Sequence, residues 1–386
     1  MLIRRSLLIS STLIWSLTLG YAGAGAAFET IAKSAILVEL KTGETLLAKD
    51  ADKLMAPASM SKLMTLYYLF ERIKDGSVSL DDKFVVSENA WRKGGYKSGS
   101  SMMFLEPKQR VRVEDLIRGI AIQSGNDACI VIAEGLSGSE EAFAAELTTR
   151  AREIGLTKST FANATGWPHP NQRMTPRDLA VLSARLIKDF PEYYHYFSEP
   201  DFTYNGRKQN NRNPLLYKDM KVDGLKTGHT QESGYGLTAS AKRGDRRLIL
   251  VVNGLSSKKA RGQEPERLMN WGFREFNNYA LFKAGEVVDE AVVWLGTAGR
   301  VPMLADRDVV LTFPRKVRRK MKVKVVYEGP IAAPIKKGAK IAELMITIPG
   351  RNTMILPLVA GADVAQLGTF GRLWAALKTI IFGENV

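Results

Sequence analysis

Residues 57–65 read Pro-Ala-Ser-Met-Ser-Lys-Leu-Met-Thr and bring two serines and a lysine together at the start of an apolar run. From Ser59 to Lys74, the residues Met60, Leu63, Met64, Leu66, Tyr67, Leu69 and Phe70 predict a helix apolar on most sides, ending at Asp75-Gly76. Such a helix belongs inside the protein. If Ser59 opens it, Lys62 follows one turn later on the same side. Ser61 then points roughly 160° away from Ser59 and does not share Lys62 in the same way. A serine at a helix N-terminus meets free backbone N–H groups and the positive end of the dipole. A lysine enclosed by Met and Leu loses solvation, so its pKa falls and the neutral amine can take the serine proton. The spacing alone remains a weak signal. A second Ser-x-x-Lys spans Ser256–Lys259, Ser-x-Asn occurs at Ser87 and Ser124, and Lys-Thr-Gly occurs at Lys41 and Lys226.

The 386 residues, 45% hydrophobic and 25% charged, suffice for two domains with substantial cores and are ordinary for a soluble globular protein. Met1–Arg5 is basic, Leu7–Leu19 is apolar apart from Ser and Thr, and residues 22–27 are all Ala or Gly. This three-part form predicts a secretory signal peptide over residues 1–27, because the apolar run is shorter than the roughly 18 residues a membrane span needs. The formal net charge is +15, and removing residues 1–27 takes away Arg4 and Arg5 and no acid, leaving +13. An exported basic protein is drawn to anionic phospholipid or wall polymer, and nucleic acid is a poor partner outside the cytoplasm. The lone Cys129, in the apolar run Ala128–Ile132, forms no intramolecular disulfide and is expected as a buried small hydrophobe.

Ala35–Leu40 and Thr45–Ala48 read as strands around a turn at Lys41-Thr42-Gly43-Glu44. Helices are expected over Val113–Gln123, Asn126–Glu134, from the N-cap Ser139 to Gly155, and over Pro176–Lys188. Residues 157–176, with Pro168, Pro170 and Pro176, read as a long loop. Gly234–Ala241 and Arg247–Val252 read as a hairpin and Glu264–Asn277 as a last helix. Strands, a block of helices, then strands and a helix predict one α+β domain with helices packed on an antiparallel sheet. From about Val287, β-branched runs at Ala291–Leu295, Val309–Thr312, Val323–Tyr327, Ile341–Ile348 and Met354–Val359 predict a small all-β module. The expected divisions are 1–27, 28–283, 284–364 and 365–386. In the tail, Phe370, Leu373, Trp374, Leu377, Ile380 and Ile381 share one helical face, opposite Arg372 and Thr379, which suits a helix lying in a membrane interface.

Context separates the repeated motifs. Lys41-Thr42-Gly43 is a hairpin turn and Ser87 starts a helix after the strand Phe84–Val86, so both have structural readings. What is left is Ser59-Met60-Ser61-Lys62 at a helix start, Ser124-Gly125-Asn126 between helices, and Lys226-Thr227-Gly228 just before a hairpin strand. That is the order of the penicillin-recognising serine acyl enzymes. With Gln123–Ala128, Val222–Thr230 and Trp271-Gly272-Phe273-Arg274, the chain resembles the D-alanyl-D-alanine carboxypeptidases, low-molecular-mass penicillin-binding proteins of the penicillin-binding protein 5 type.

The resemblance implies a β-lactamase/transpeptidase-like domain, a small β-sandwich and an amphipathic anchor on the outer face of the inner membrane. It implies that Ser59 attacks the D-Ala–D-Ala carbonyl of peptidoglycan stems, with Lys62 as base, and that β-lactams acylate the same serine. Ser124 and Lys226 would relay a proton to the leaving amine, and Asn126 would hold the substrate amide. The backbone N–H groups of Ser59 and His229 would form the oxyanion hole. Thr227, beside Gly228, would bind the terminal carboxylate together with Arg261 and Arg212, planar guanidinium being the expected partner of a carboxylate. The Arg212-to-Lys226 spacing is one residue shorter than is usual in that family. No metal or cofactor is expected.

Rival chemistries fare worse. A class A β-lactamase needs a loop glutamate, and no Glu occurs between Ile154 and Pro191. His169, His195 and His229 stand apart with no His-Glu-x-x-His, and no Gly-x-Ser-x-Gly exists. Two alternatives stay open: a D,D-endopeptidase using the same site, and a non-catalytic wall-binding or β-lactam-sensing protein. The run Arg315–Lys324 holds seven basic residues in ten. Its alternation of Lys320, Lys322 and Lys324 with Met321, Val323 and Val325 reads as a solvated strand face, with contact to anionic lipid or wall polymer as the functional reading.

Overall fold

The computed structural model describes residues 28–382, apart from the side chains of Ala376 and residues 378–382. The expected signal peptide, 1–27, lies outside the described residues. The chain enters through the hairpin β1 (Ser34–Glu39) and β2 (Thr45–Lys49). A 3-10 turn at Ala58–Ser61 leads into α1 (Lys62–Lys74). After β3 (Lys83–Val85) and β4 (Arg110–Arg112), a two-stranded ribbon, come α2 (Val113–Ala121), α3 (Asn126–Ser137), α4 (Glu140–Glu153) and α5 (Pro176–Asp189). Local chemistry sets these starts. Ser139 accepts from Ala142 N–H, and Thr175 accepts from Asp178 N–H with Pro176 at the first helical position.

A second ribbon, β5 (Asp201–Tyr204) and β6 (Arg207–Asn210), precedes β7 (Val222–Thr230), β8 (Gly234–Arg243) and β9 (Arg246–Leu255). The main sheet runs β2-β1-β9-β8-β7, all antiparallel. α6 (Lys258–Glu275) follows. The period-2 alternation of β9 shows how the layers form. Ile249 and Val251 pack with α1, α2, α3 and α5 on one face, while Leu248, Leu250 and Val252 pack with Leu268, Met269 and Phe273 of α6 on the other. Each such side chain, fully buried, contributes about 1.5–3 kcal/mol. Close approach of α6 depends on Gly272, where an added Cβ would stand 2.7 Å from Leu37 Cδ2 and 2.9 Å from Leu248 Cδ1.

Without a linker, β10 (Phe276–Phe282) follows α6 directly. Next come β11 (Val287–Trp294), β12 (Arg300–Ala305), β13 (Val309–Pro314), β14 (Lys322–Val326), β15 (Ile331–Ala332), β16 (Lys340–Thr347), β17 (Met354–Ala360) and α7 (Thr369–Phe382). A six-stranded sheet, β14-β16-β17-β12-β11-β15, and the pair β10-β13 enclose Val301, Met303, Phe313, Leu344 and Leu358. The pairing of β10 with β13 draws residues 276–282 into this all-β unit. The seam to the first domain is polar. Thr42 and Thr312 share a hydroxyl hydrogen bond of 2.7 Å, Asn278 donates to Glu39 at 2.9 Å, and Arg351 pairs with Glu44 at 3.0 Å.

The structure departs from the sequence reading in several elements. α6 begins at Lys258, not Glu264: its first turns lack an apolar stripe and rest instead on the cap of Ser257 over Ala260 N–H. Val222–Thr230 is itself the edge strand β7, where Asp, Gly, Lys and His hid a β pattern. β12 went unread because Pro302 interrupts its run, although Pro302 sits where β12 pairs with β11. Arg315–Lys320 is an exposed 3-10 turn, and only Lys322–Val326 of the basic run is a strand. After Ser87 the helical segment is a π-turn at Ala90–Gly94.

Candidate active site

Ala58 is the hinge of the nucleophile turn, with φ 49° in the left-handed region. Such backbone costs about 1–3 kcal/mol for a residue with a Cβ and persists only where the surroundings impose it. Ser61, the rival serine, is buried and donates to Ala58 O at 3.0 Å, tying the turn shut. Ser59 remains partly open to a cleft of ≈ 500 Å³. Lys62 is fully buried, and its Nζ lies 3.0 Å from Ser59 Oγ, 2.6 Å from Asn126 Oδ1 and 2.5 Å from Thr165 O. Burial, the dominant cause, pulls the amine down to about 8, with the Arg212 charge pushing the same way. In its neutral form the amine can keep N–H groups on Asn126 and Thr165 and accept the proton of the serine hydroxyl.

Ser124 sits before α3 with φ 67°, and its buried Oγ has no hydrogen-bond partner among the described residues. A strained, unpartnered hydroxyl facing a cleft is poised for a partner from outside. Asn126, which the resemblance implies would hold the substrate amide, is also hydrogen-bonded within the site. Its Oδ1 takes Lys62 and its Nδ2 donates to Ser100 Oγ at 2.9 Å, so here it orders the site's interior. Asp127 accepts from the N–H groups of Met103 and Leu105 at 3.0 and 3.2 Å, pinning the loop that carries Ser100 and Ser101. Burial raises the Asp127 pKa against those backbone bonds.

The opposite wall is β7. Lys226 is buried and donates to Thr227 O at 3.3 Å; burial, then the charges of Lys62 and Arg212, hold it well below the ordinary lysine range. Gly228 leaves room for the nucleophile turn, since a Cβ there would stand 2.9 Å from Pro57 O. Exposed His229 packs at a tilt of 31° against Tyr235 with ring centroids 4.0 Å apart, and Arg261 lies 5.4 Å from the same ring. Arg261 donates to Gly228 O at 3.4 Å, while its buried Nε has no partner. Arg212 donates to Ser101 Oγ across the cleft mouth.

Every catalytic or substrate-binding residue expected from the sequence thus lines this cleft or touches a residue that does. The lining includes Arg212, Lys258 and Arg261 and no acid, so it attracts an anionic ligand. Ser100, Ser101, Trp167, Tyr235, Lys258 and the carbonyl of Thr165 were not read from the sequence. They come from loops, a helix start and, for Tyr235, the strand β8, which only the tertiary fold brings here, and no spacing rule marks them. A larger hollow, ≈ 630 Å³, lies on the outer face between α1, α4 and α5, where Arg150 is paired with Glu71 and Glu153.

Comparison with known proteins agrees with this geometry. Residues 22–257 match the family model described as D-alanyl-D-alanine carboxypeptidase, and residues 276–366 match the C-terminal domain of penicillin-binding protein 5. The chain is 38% identical over 346 residues to D-alanyl-D-alanine carboxypeptidase DacC of Escherichia coli, covering 89% of this chain and 86% of that one. Penicillin-binding protein 5 of Haemophilus influenzae superposes with a TM-score of 0.76 at 35% identity, over 88% of this chain and 98% of that structure. Penicillin-binding protein D2 of Listeria monocytogenes, solved in an ampicillin-bound form, covers 64% of this chain and 99% of its own at 31% identity and a TM-score of 0.56.

Proposed function

The chain belongs to the D-alanyl-D-alanine carboxypeptidase family, and from that premise we propose how its residues divide the reaction. The protein is a serine hydrolase that removes the terminal D-alanine from peptidoglycan stems and is acylated by β-lactams. Ser59 Oγ attacks the penultimate carbonyl as its proton passes to neutral Lys62 Nζ. The developing oxyanion is held by the backbone N–H groups of Ser59 and His229. The peptide C–N bond then breaks. The departing amine takes a proton from the Ser124 hydroxyl, which Lys226 and Lys62 replenish, and water later releases the shortened stem from Ser59. Arg261, Arg212 and Thr227 hold the free carboxylate that marks a carboxypeptidase substrate.

One observation carries this reading: the fully buried Lys62 amine, 3.0 Å from Ser59 Oγ, at a pKa of about 8. The test is D-alanine release from a pentapeptide ending in D-Ala-D-Ala by wild type and Ser59→Ala. Release confined to wild type supports the assignment, and release that persists in the variant removes Ser59 from it.

The protein's setting is part of the proposal. Residues 1–27 act as a signal peptide, and the mature chain works in the periplasm, peripherally on the inner membrane. In α7, Phe370, Leu373 and Trp374 are 91%, 70% and 63% exposed, an apolar surface suited to the lipid interface. No helix among the described residues is long and apolar enough to cross a membrane.

A further inference from the structure

Arg246 is 7% exposed, yet its Nε and Nη2 have no acceptor among the described residues; Nη1 alone donates, at 3.4 Å, to Phe273 O. Buried guanidinium N–H groups without partners are costly, so their surroundings invite explanation. The opposite charge acting most strongly on Arg246 is that of Glu39. Its carboxylate is already committed, Oε2 to Thr42 and Oε1 to Asn278.

Arg246 lies at the start of β9 and lines a cleft of ≈ 420 Å³. The end of β8 adds Arg243, the C-terminal turns of α6 add Asn270, Phe273 and Arg274, and the 3-10 turn of the second domain adds Arg315. Arg243 is set in place, donating to Asn270 Oδ1 at 2.8 Å, and lies 4.4 Å from the Phe273 ring centroid on which Arg246 also stacks at 5.4 Å. Arg274 is engaged by Glu275. The one acid in the lining is Asp245, which is exposed. Four guanidinium groups therefore converge on one hollow from both domains. The cleft is separate from the catalytic one. α6 sends Lys258 and Arg261 to the catalytic cleft and Arg274 to this one, about 20 Å farther along the helix at ~1.5 Å per residue.

We propose that this cleft binds a phosphate-type oxyanion, held by Arg243, Arg246 and Arg315 where the two domains meet. A planar carboxylate is satisfied by a single guanidinium fork, whereas a tetrahedral oxyanion accepts from several directions at once, which suits forks arriving from β8, β9 and the second domain. Arg315 opens the basic run that stands out in the sequence, and this site gives its first residue a specific task.

The test uses the purified protein with inorganic phosphate and pyrophosphate, at ionic strength held constant with chloride, read by calorimetry and thermal melting. Saturable binding that raises the melting temperature, weakened at least tenfold in exposed Arg315→Ala and in Arg246→Met with D-alanine release unchanged, is the expected result. Phosphatidylglycerol vesicles, against phosphatidylcholine ones, form a second arm. Vesicle binding that drops in Arg315→Ala without any response to inorganic phosphate assigns the oxyanion to a lipid headgroup, and a phosphate response alone assigns it to soluble or polymer-borne phosphate. No saturable response to any probe, or an equal response in Arg315→Ala, overturns the proposal.

Discussion

Gly166 faces Ala58 so closely that a Cβ on Gly166 would stand 2.0 Å from the Ala58 carbonyl oxygen and 2.5 Å from Ser61 Oγ. Gly166 also has φ +82°, a conformation glycine adopts without strain. The loop after Lys62's acceptor Thr165 is therefore moulded onto the turn that presents Ser59. Gly166→Ala is expected to cost about 1–3 kcal/mol of stability and to slow acylation far more than it weakens the fold. Melting temperature and penicillin acylation rate, measured on one preparation, separate the two effects.

Lys62→Arg keeps the positive charge and removes the base, because guanidinium does not deprotonate in the working range. The expected loss in acylation rate is at least about 10²–10⁴-fold. A variant acylating at more than a tenth of the wild-type rate would take Lys62 out of the proton transfer.

The pH dependence follows from burial of Lys62, which disfavours its ammonium form and sets the folded pKa at about 8, below the ordinary value of about 10.4. Below about 8 the base is protonated, so the acylation rate should fall about tenfold per pH unit and should level off above. Between about 8 and about 10.4 the folded state binds fewer protons at this group than the unfolded chain, so its contribution makes stability rise with pH across that window. A rate profile flat down to about pH 6 would contradict the first expectation.

Arg261→Ala should raise KM for a D-Ala-D-Ala substrate by roughly 10–100-fold, the loss of a charged hydrogen bond to a carboxylate being about 1.5–3 kcal/mol. The same peptide with its terminal carboxylate amidated should respond little to the substitution. Equal losses on both peptides would assign Arg261 to packing against Tyr235 instead.

At the C-terminus, Leu373→Asp with Trp374→Ala should weaken binding to phosphatidylglycerol vesicles at least about tenfold and leave D-alanine release from a soluble peptide unchanged. Co-sedimentation with vesicles is the measurement.

Chemistry carried by short local spacing was legible in the sequence. Ser59 and Lys62 sit one turn apart, so their proximity follows from helical geometry, and Ser124-Gly125-Asn126 and Lys226-Thr227-Gly228 each lie on one continuous segment. Ser100 and Ser101 were not legible, because their loop is placed by Asp127 reaching back to Met103 and Leu105. Nor was Tyr235, which enters the cleft only through strand register opposite His229. In the fold, apolar alternation announced β1, β8 and β9. The start of α6 and the edge strand β7 escaped, since a polar helix held by its cap and a strand rich in Gly, Lys and Asp leave no periodic trace. The interior role of Asn126 is likewise set by Lys62 and Ser100, which no local pattern places beside it.

Since Glu275 ends α6 and Phe276 begins β10, there is no slack between the domain that holds the cleft and the domain that carries the tail. The Thr42–Thr312 contact and the Arg351–Glu44 pair brace the same joint from the far side of the sheet's first hairpin. Mechanically the second domain is a strut, not a tether. A surface that held the tail would therefore set the height and heading of the cleft above it, and with them the substrate strands within reach.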